Sequence, residues 1–281
     1  MKKIIISCLI VVVIFSVIIF AIFCFNNIYS CNKEKLSLEI SNMCQKYDVG
    51  FYYKNPYNME SLCYNESKQY DPASTNKTFL ALFVFKMIKE GNIEFSEVLE
   101  YKEQHKYDGT GEIQYGNFGD KYTVDQLLEL LITKSDNVAF RMLKERVTEE
   151  NLKNFLASIG TPIETEKVTY QDFSPKDLIR HLEVLYDLIS EDSYISDKAK
   201  LYFSTGIYND KIPAGVPNLR VLHKPGWIPE KLICNDEAII YDENNQPYFL
   251  AIMSQDIPET EQPAFFQKLT AKIHKYHCLN K

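Results

Sequence analysis

The sequence predicts an α+β fold: a five-stranded antiparallel sheet flanked by N- and C-terminal helices, with an all-helical lobe inserted between two groups of strands. Three observations lead there. Strand-like runs fall into two groups, one near residues 49–64 and one near 221–253. A block of helical patterns from Thr78 to about Tyr202 separates them. A further helical pattern stands before the first group and another after the last.

The elements follow in order. Lys33–Tyr47 carries Leu36, Leu38, Ile40 and Met43 and reads as a helix. Val49–Tyr53 and Ser61–Tyr64 read as strands joined through the turn Asn55-Pro56-Tyr57-Asn58, a hairpin. Helical patterns then cover Phe79–Glu90, Val124–Thr133, Asn137–Val147, Glu149–Ile159 and Pro175–Ile189. Val221–Lys224, Glu237–Tyr241 and Tyr248–Met253 are strands, the last two around the turn Asp242-Glu243-Asn244-Asn245. Thr260–His277 is a closing helix. Residues 31–281 form one body with the helical lobe at about 78–205, long enough for a sizeable core or two fused lobes.

The N-terminal piece, residues 1–30, is different in kind. Ile4–Phe25 is apolar and uncharged for 22 residues, about 30 Å as a helix and one hydrocarbon thickness. Lys2 and Lys3 before it favour a cytoplasmic N-terminus. An uncleaved membrane anchor is the expectation. A lipobox ending at Cys31 and a cleaved signal are the alternatives; Tyr29 and the length of the run count against the first of these. All three put the body outside the cytoplasm.

The chain carries 31 Lys+Arg against 38 Asp+Glu, and two of those lysines belong to the N-terminal piece, so the body is acidic. Such a body is a poor candidate for nucleic-acid binding, and no nucleic-acid partner is expected. Seven cysteines lie far apart, without metal-ligand spacing, and read mainly as free thiols. One bridge, Cys31 or Cys44 to Cys278, is geometrically open if the first and last helices pack together. No metal or other cofactor is expected, and a monomer is.

The chemistry concentrates in three short stretches. In Pro72-Ala73-Ser74-Thr75-Asn76-Lys77, at the start of an apolar helix, Ser74 and Lys77 are three apart and share a face. A serine hydroxyl needs a base, and a lysine serves as one only when burial and a neighbouring cation keep it neutral. Alone the pattern is weak, for Ser30 and Lys33 repeat it near the membrane. Ser135-Asp136-Asn137 lies between two helical patterns, and His223-Lys224-Pro225-Gly226-Trp227 ends the first strand after the helical block.

In this order, Ser-x-x-Lys, Ser-Asp-Asn and Lys-x-Gly resemble the class A β-lactamases and the wider family of penicillin-interacting serine hydrolases. The resemblance covers roughly residues 34–278. Tyr122-Thr123-Val124, Ser174-Pro175-Lys176-Asp177-Leu178 and Asn235-Asp236 support it. It implies the serine β-lactamase/transpeptidase-like sandwich and a role for each residue. Ser74 would be the acylated nucleophile and Lys77 its base. Ser135 would pass a proton to the leaving nitrogen, and Asn137 would bind the substrate's side-chain amide. Lys224 would attract the substrate carboxylate and depress Lys77. Gly226 and Trp227 would border the substrate, with the Ser74 and Trp227 N–H groups forming the oxyanion hole. Asp136 and His223 read as structural. Trp227 fits the site rim or the core equally well.

Two departures qualify the resemblance. Pro225 stands where the family has Thr or Ser, removing a hydroxyl and an N–H. The loop Gly160–Phe173 is short and lacks the family's Glu-x-x-Leu-Asn stretch, whose glutamate positions the water that hydrolyses the acyl-enzyme. Glu164, Glu166 and Asp172 are the available substitutes, although each reads better as a charged loop face. The expected activity is therefore β-lactam hydrolysis through an acyl-enzyme on Ser74, with slow deacylation. The alternatives are a D-Ala-D-Ala peptidase acting on peptidoglycan stem peptides and a non-turnover β-lactam sensor; a glutaminase fits the extracytoplasmic location poorly.

Overall fold

A computed structural model describes residues 18–20 and 32–279. The anchor expected over 4–25 lies outside the described residues except for 18–20. Among the described residues no helix is long and apolar enough to cross a membrane.

Helix α1 (32–44) leads into the hairpin β1 (Asp48–Lys54) and β2 (Ser61–Tyr64). The helical lobe follows: α2 (Asn76–Lys89), α3 (Val124–Thr133), α4 (Asn137–Val147), α5 (Glu149–Ser158), α6 (Pro175–Ile189), α7 (Tyr194–Ser204) and the short α8 (Ile212–Gly215). A two-stranded ribbon, β3 (Val98–Glu100) with β4 (Lys121–Thr123), interrupts it. The chain then returns through β5 (Arg220–Ile228), β6 (Ile233–Tyr241) and β7 (Pro247–Gln255) and ends in α9 (Gln262–Cys278). The main sheet has the order β2-β1-β7-β6-β5 with antiparallel neighbours, the expected five strands.

Sequence chemistry sets the helix starts. The Thr123 hydroxyl accepts from the Gln126 N–H while the Gln126 side chain accepts from the Thr123 N–H, a reciprocal cap at α3. Ser174 and Asp177 do the same at α6, with Pro175 in the first turn. Asp136 caps α4. Every residue of α2 from Lys77 to Phe85 is buried, as befits the lobe's central helix.

β7 and the second half of β6 are apolar on both faces because both faces are covered. Tyr248, Leu250 and Ile252 meet α1 and α9 on one side. Phe249, Ala251 and Met253 meet the helical lobe on the other. The first and last helices do share that layer, and Lys272 pairs with Glu39 across them, yet Cys44 is a buried thiol and no disulfide joins it to Cys278.

Two departures from expectation bear on the site. β5 runs four residues past Lys224, straight through Pro225, because it is an edge strand where a missing N–H costs no ladder bond on the open side. Ser74 lies in a 3-10 turn, Ala73–Thr75, ahead of α2 rather than inside a continuous helix.

Candidate active site

The cleft lies where the helical lobe meets the β5 edge. It encloses about 690 Å³ and is lined by Ser74, Lys77, Asn137 and Trp227, together with Tyr107–Thr110, Thr169 and Tyr170. Two backbone conformations shape it. Ala73 has φ 47° and Ser135 φ 54°, in the left-handed region that non-glycine residues rarely occupy. The first turns the chain just before Ser74. The second ends α3 and aims Ser135 inward.

Asp136 holds that second turn. One carboxylate oxygen accepts from the N–H groups of Val138 and Ala139, both at 2.9 Å. The other accepts from Glu112 (2.6 Å) and Ile113 (3.0 Å). Gly111 packs against it so closely that a Cβ there would come within 2.2 Å of the carboxylate. Asp136 is thus structural, and its rigidity is what places Ser135 and Asn137.

Lys77 gathers the site. Its Nζ lies 3.2 Å from Ser74 Oγ, 3.1 Å from Ser135 Oγ, 2.6 Å from the Ser135 carbonyl and 2.7 Å from Asn137 Oδ1. Burial, then the nearby Lys224 cation, hold its pKa well below the usual lysine range. A neutral amine has two N–H donors and one lone pair. The carbonyl and the Asn137 amide oxygen can only accept, and they are the two shortest contacts, so they take the two donors. The lone pair is left for the two hydroxyls, which can donate. In its neutral form Lys77 is thus placed to accept a proton from Ser74 or Ser135.

Lys224 is fully buried beneath the cleft floor and donates to Ser135 Oγ (3.1 Å) and the Pro225 carbonyl (2.9 Å). Burial lowers its pKa to about 7, with Asp236 and Glu237 opposing the shift. Ser135 Oγ thus bridges two amines at equal distance.

Gly226 is not a wall of the cleft. It is buried against the nucleophile turn, where a Cβ would come within 2.6 Å of the Ser74 amide nitrogen. Trp227 does line the cleft, and its ring meets Tyr208 edge-on at 4.7 Å. His223 points to the opposite face of the sheet, between Asp236 (3.1 Å) and Asn209 (2.9 Å), a structural position as expected.

The short loop brings no carboxylate to the cleft. Glu164, Glu166 and Asp172 are exposed and none lines it. The loop instead forms a 3-10 turn, Val168–Tyr170, whose Thr169 carbonyl accepts from Asn76 Nδ2 at 3.0 Å. Glu149 anchors the turn by accepting from the Thr169 N–H (3.0 Å).

Sequence reasoning missed three contributors. Thr110 Oγ1 donates to the Ser135 carbonyl at 2.6 Å; the Gly109-Thr110-Gly111 triplet was its one signal. Thr169 comes from the loop. Glu237, cross-strand from Lys224, is fully buried beside the equally buried Thr78 hydroxyl, and neither group finds a partner in good hydrogen-bond geometry. Burial pushes the Glu237 pKa well above the carboxylate range.

Among solved structures, PBP-A matches with a TM-score of 0.78 at 21% identity, covering 86% of this chain and 96% of that one. A leucine-to-glutamate mutant of PBP-A, solved as its acyl-enzyme complex with penicillin G, gives 0.79 at 21%, covering 87% and 96%. A β-lactamase from Sphaerobacter thermophilus gives 0.74 at 18%, covering 85% and 94%. At these identities the likeness is one of fold. No curated protein matches significantly. The model of the Beta-lactamase enzyme family, however, matches residues 35–277, nearly the whole body and all three motifs. The chain belongs to the β-lactamase enzyme family.

Proposed function

We propose that the protein is an extracytoplasmic serine acyl-hydrolase that β-lactams acylate on Ser74 and that releases the acyl group slowly, its body held at the membrane by the N-terminal segment. The observation that carries this is the Lys77 contact set, which leaves a lone pair for Ser74 Oγ. Lys77 takes the Ser74 proton as the oxygen attacks the lactam carbonyl. The C–N bond then breaks, and the nitrogen receives a proton through Ser135, which Lys77 can resupply. The Ser74 N–H, beside Gly226, and the Trp227 N–H receive the developing oxyanion. Lys224, while cationic, attracts the substrate carboxylate. Asn137 holds the side-chain amide.

Slow release is supported by the loop, which faces the cleft with Thr169 and Tyr170 and no carboxylate. The same observation favours a second reading, a D-Ala-D-Ala peptidase whose acyl-enzyme forms on peptidoglycan stem peptides. A fluorescent penicillin labels the protein under either reading, and Ser74→Ala abolishes the label; an unlabelled wild type overturns both. Intact-mass spectrometry after a cephalosporin pulse then times the release of the acyl group, and a pentapeptide assay separates the two. An adduct that persists for hours rules out an efficient β-lactamase, and release of D-alanine from a pentapeptide identifies the peptidase.

A further inference from the structure

At the end of β6 far from the cleft, three side chains converge that the acylation chemistry does not use. Glu243 lies in the β6–β7 turn. His274 and Cys278 are four apart on α9 and so share a helix face. His274 Nε2 is 3.0 Å from Glu243 Oε1 and 3.6 Å from Cys278 Sγ, and the three ligand atoms lie within 4.8 Å of one another. We propose that Glu243, His274 and Cys278 form a site for a zinc-like divalent transition-metal ion, which staples the C-terminal helix to the β6–β7 turn.

The donor set selects the ion. One carboxylate, one imidazole and one thiolate suit zinc, whereas calcium and magnesium require mostly oxygen. The spacing fits as well. Zinc bonds of about 2.0 Å to N or O and about 2.3 Å to S, at tetrahedral angles, separate N from O by about 3.3 Å and N from S by about 3.6 Å. The imidazole is already oriented. Its other nitrogen, Nδ1, lies 3.1 Å from the Tyr248 hydroxyl, and with the metal on Nε2 it is the Nδ1–H that donates to that oxygen. Tyr248 is itself fixed, fully buried and stacked on His277 at 4.2 Å between ring centroids. Three protein ligands leave a fourth position for water. On binding, the Cys278 thiol loses its proton and the sulfur takes the metal, so one proton is released per ion.

The test uses the purified full-length chain, reduced and stripped with a chelator, then titrated with zinc by calorimetry and with cobalt by absorption. One ion per chain is expected, with a thiolate-to-cobalt charge-transfer band. Cys278→Ser should remove that band, and Cys278→Ser and His274→Ala should each weaken binding by at least roughly tenfold. Zinc should raise the unfolding temperature of the wild type but not of Cys278→Ser, and circular dichroism of the stripped variants checks that they fold. Absence of saturable binding overturns the site. So does binding that is unchanged in both variants, which places the ion elsewhere on the chain.

Discussion

Replacing Glu237 by Met should make the protein more stable, and by more at neutral than at acidic pH. The side chain sits mid-strand in β6, facing the helical lobe, with neither carboxyl oxygen paired. A buried polar group without a partner costs about 1–3 kcal/mol, and Met fills a similar volume without that cost. The second contribution depends on pH. Burial raises the folded pKa, so the folded state keeps a proton that the unfolded chain releases above its carboxyl range, near pH 4.3. The unfolded state then binds fewer protons than the native state, and stability falls as pH rises, by about 1.4 kcal/mol per unit, until the folded group itself ionises. Met removes this slope. Between pH 5 and pH 7 its advantage should grow by up to about 2.7 kcal/mol, on top of roughly 2 kcal/mol from the unpaired oxygens. For a body of this size each kcal/mol moves the melting temperature by about 2–4 °C. Urea unfolding at pH 5 and pH 7 measures both parts, and Glu237→Gln isolates the titration because it keeps the buried polarity and loses the proton. The reasoning fails if Glu237→Met is neutral or destabilising at both pH values, or if its advantage does not grow with pH.

Four further outcomes follow from the site. Gly226→Ala should slow penicillin labelling by at least about a hundredfold, since a Cβ at 2.6 Å from the Ser74 nitrogen forces β5 and the nucleophile turn apart; labelling at the wild-type rate would refute this. Asp136→Ala should cost about 3–5 kcal/mol in urea unfolding, because it strands four backbone N–H groups in a buried turn. The labelling rate should fall as pH rises through about 7, where Lys224 loses the charge that attracts the substrate carboxylate; Lys224→Gln should be slow and lack that limb. Pro225→Thr should speed acylation by roughly tenfold, one charge-assisted hydrogen bond to the carboxylate, and an unchanged rate would show that Pro225 is no handicap.

Much of the fold was legible because its helices announce their starts. Val124, Asn137 and Pro175 were placed to the residue, and each follows a side chain that caps the helix. Strands of three residues, β3 and β4, are too short for alternation to register. The proposed catalytic groups are legible for a related reason: Ser74 and Lys77 are neighbours on one turn, and Ser135 and Asn137 flank a cap. The residues that complete the cleft, Tyr107–Thr110 and Thr169, lie in irregular segments where position comes from tertiary contacts and carries no period. Glu237 shows the opposite failure. The sequence pattern starts its strand at Glu237, four residues short of the observed start at Ile233, because Asn235, Asp236 and Glu237 break the apolar run; only the sheet's two covered faces reveal that Glu237 is buried mid-strand.

The placement of the two lysines bears on which step the protein performs well. Both lie in the interlocked region between α2, the Asp136 turn and β5, where the strained backbone at Ala73 and Ser135 is held by four hydrogen bonds to one carboxylate and by close packing at Gly111 and Gly226. The parts needed for acylation are thus built into the fold, and altering any one of them disturbs several contacts. Under the proposed reading, water for deacylation is activated from the loop side, where the family's glutamate stands. There the chain offers the Tyr170 side chain and the Thr169 carbonyl, which accepts from the Asn76 amide, while the Thr169 hydroxyl is taken up by Lys144 and Glu149. Acylation and release therefore depend on different elements, so a glutamate introduced on the loop, for example Tyr170→Glu, should shorten the life of the acyl-enzyme while leaving its rate of formation within a few-fold. Time-resolved intact-mass measurement separates the two rates. If Tyr170→Glu alters formation as strongly as release, the two steps do not divide between the loop and the buried lysines in this way.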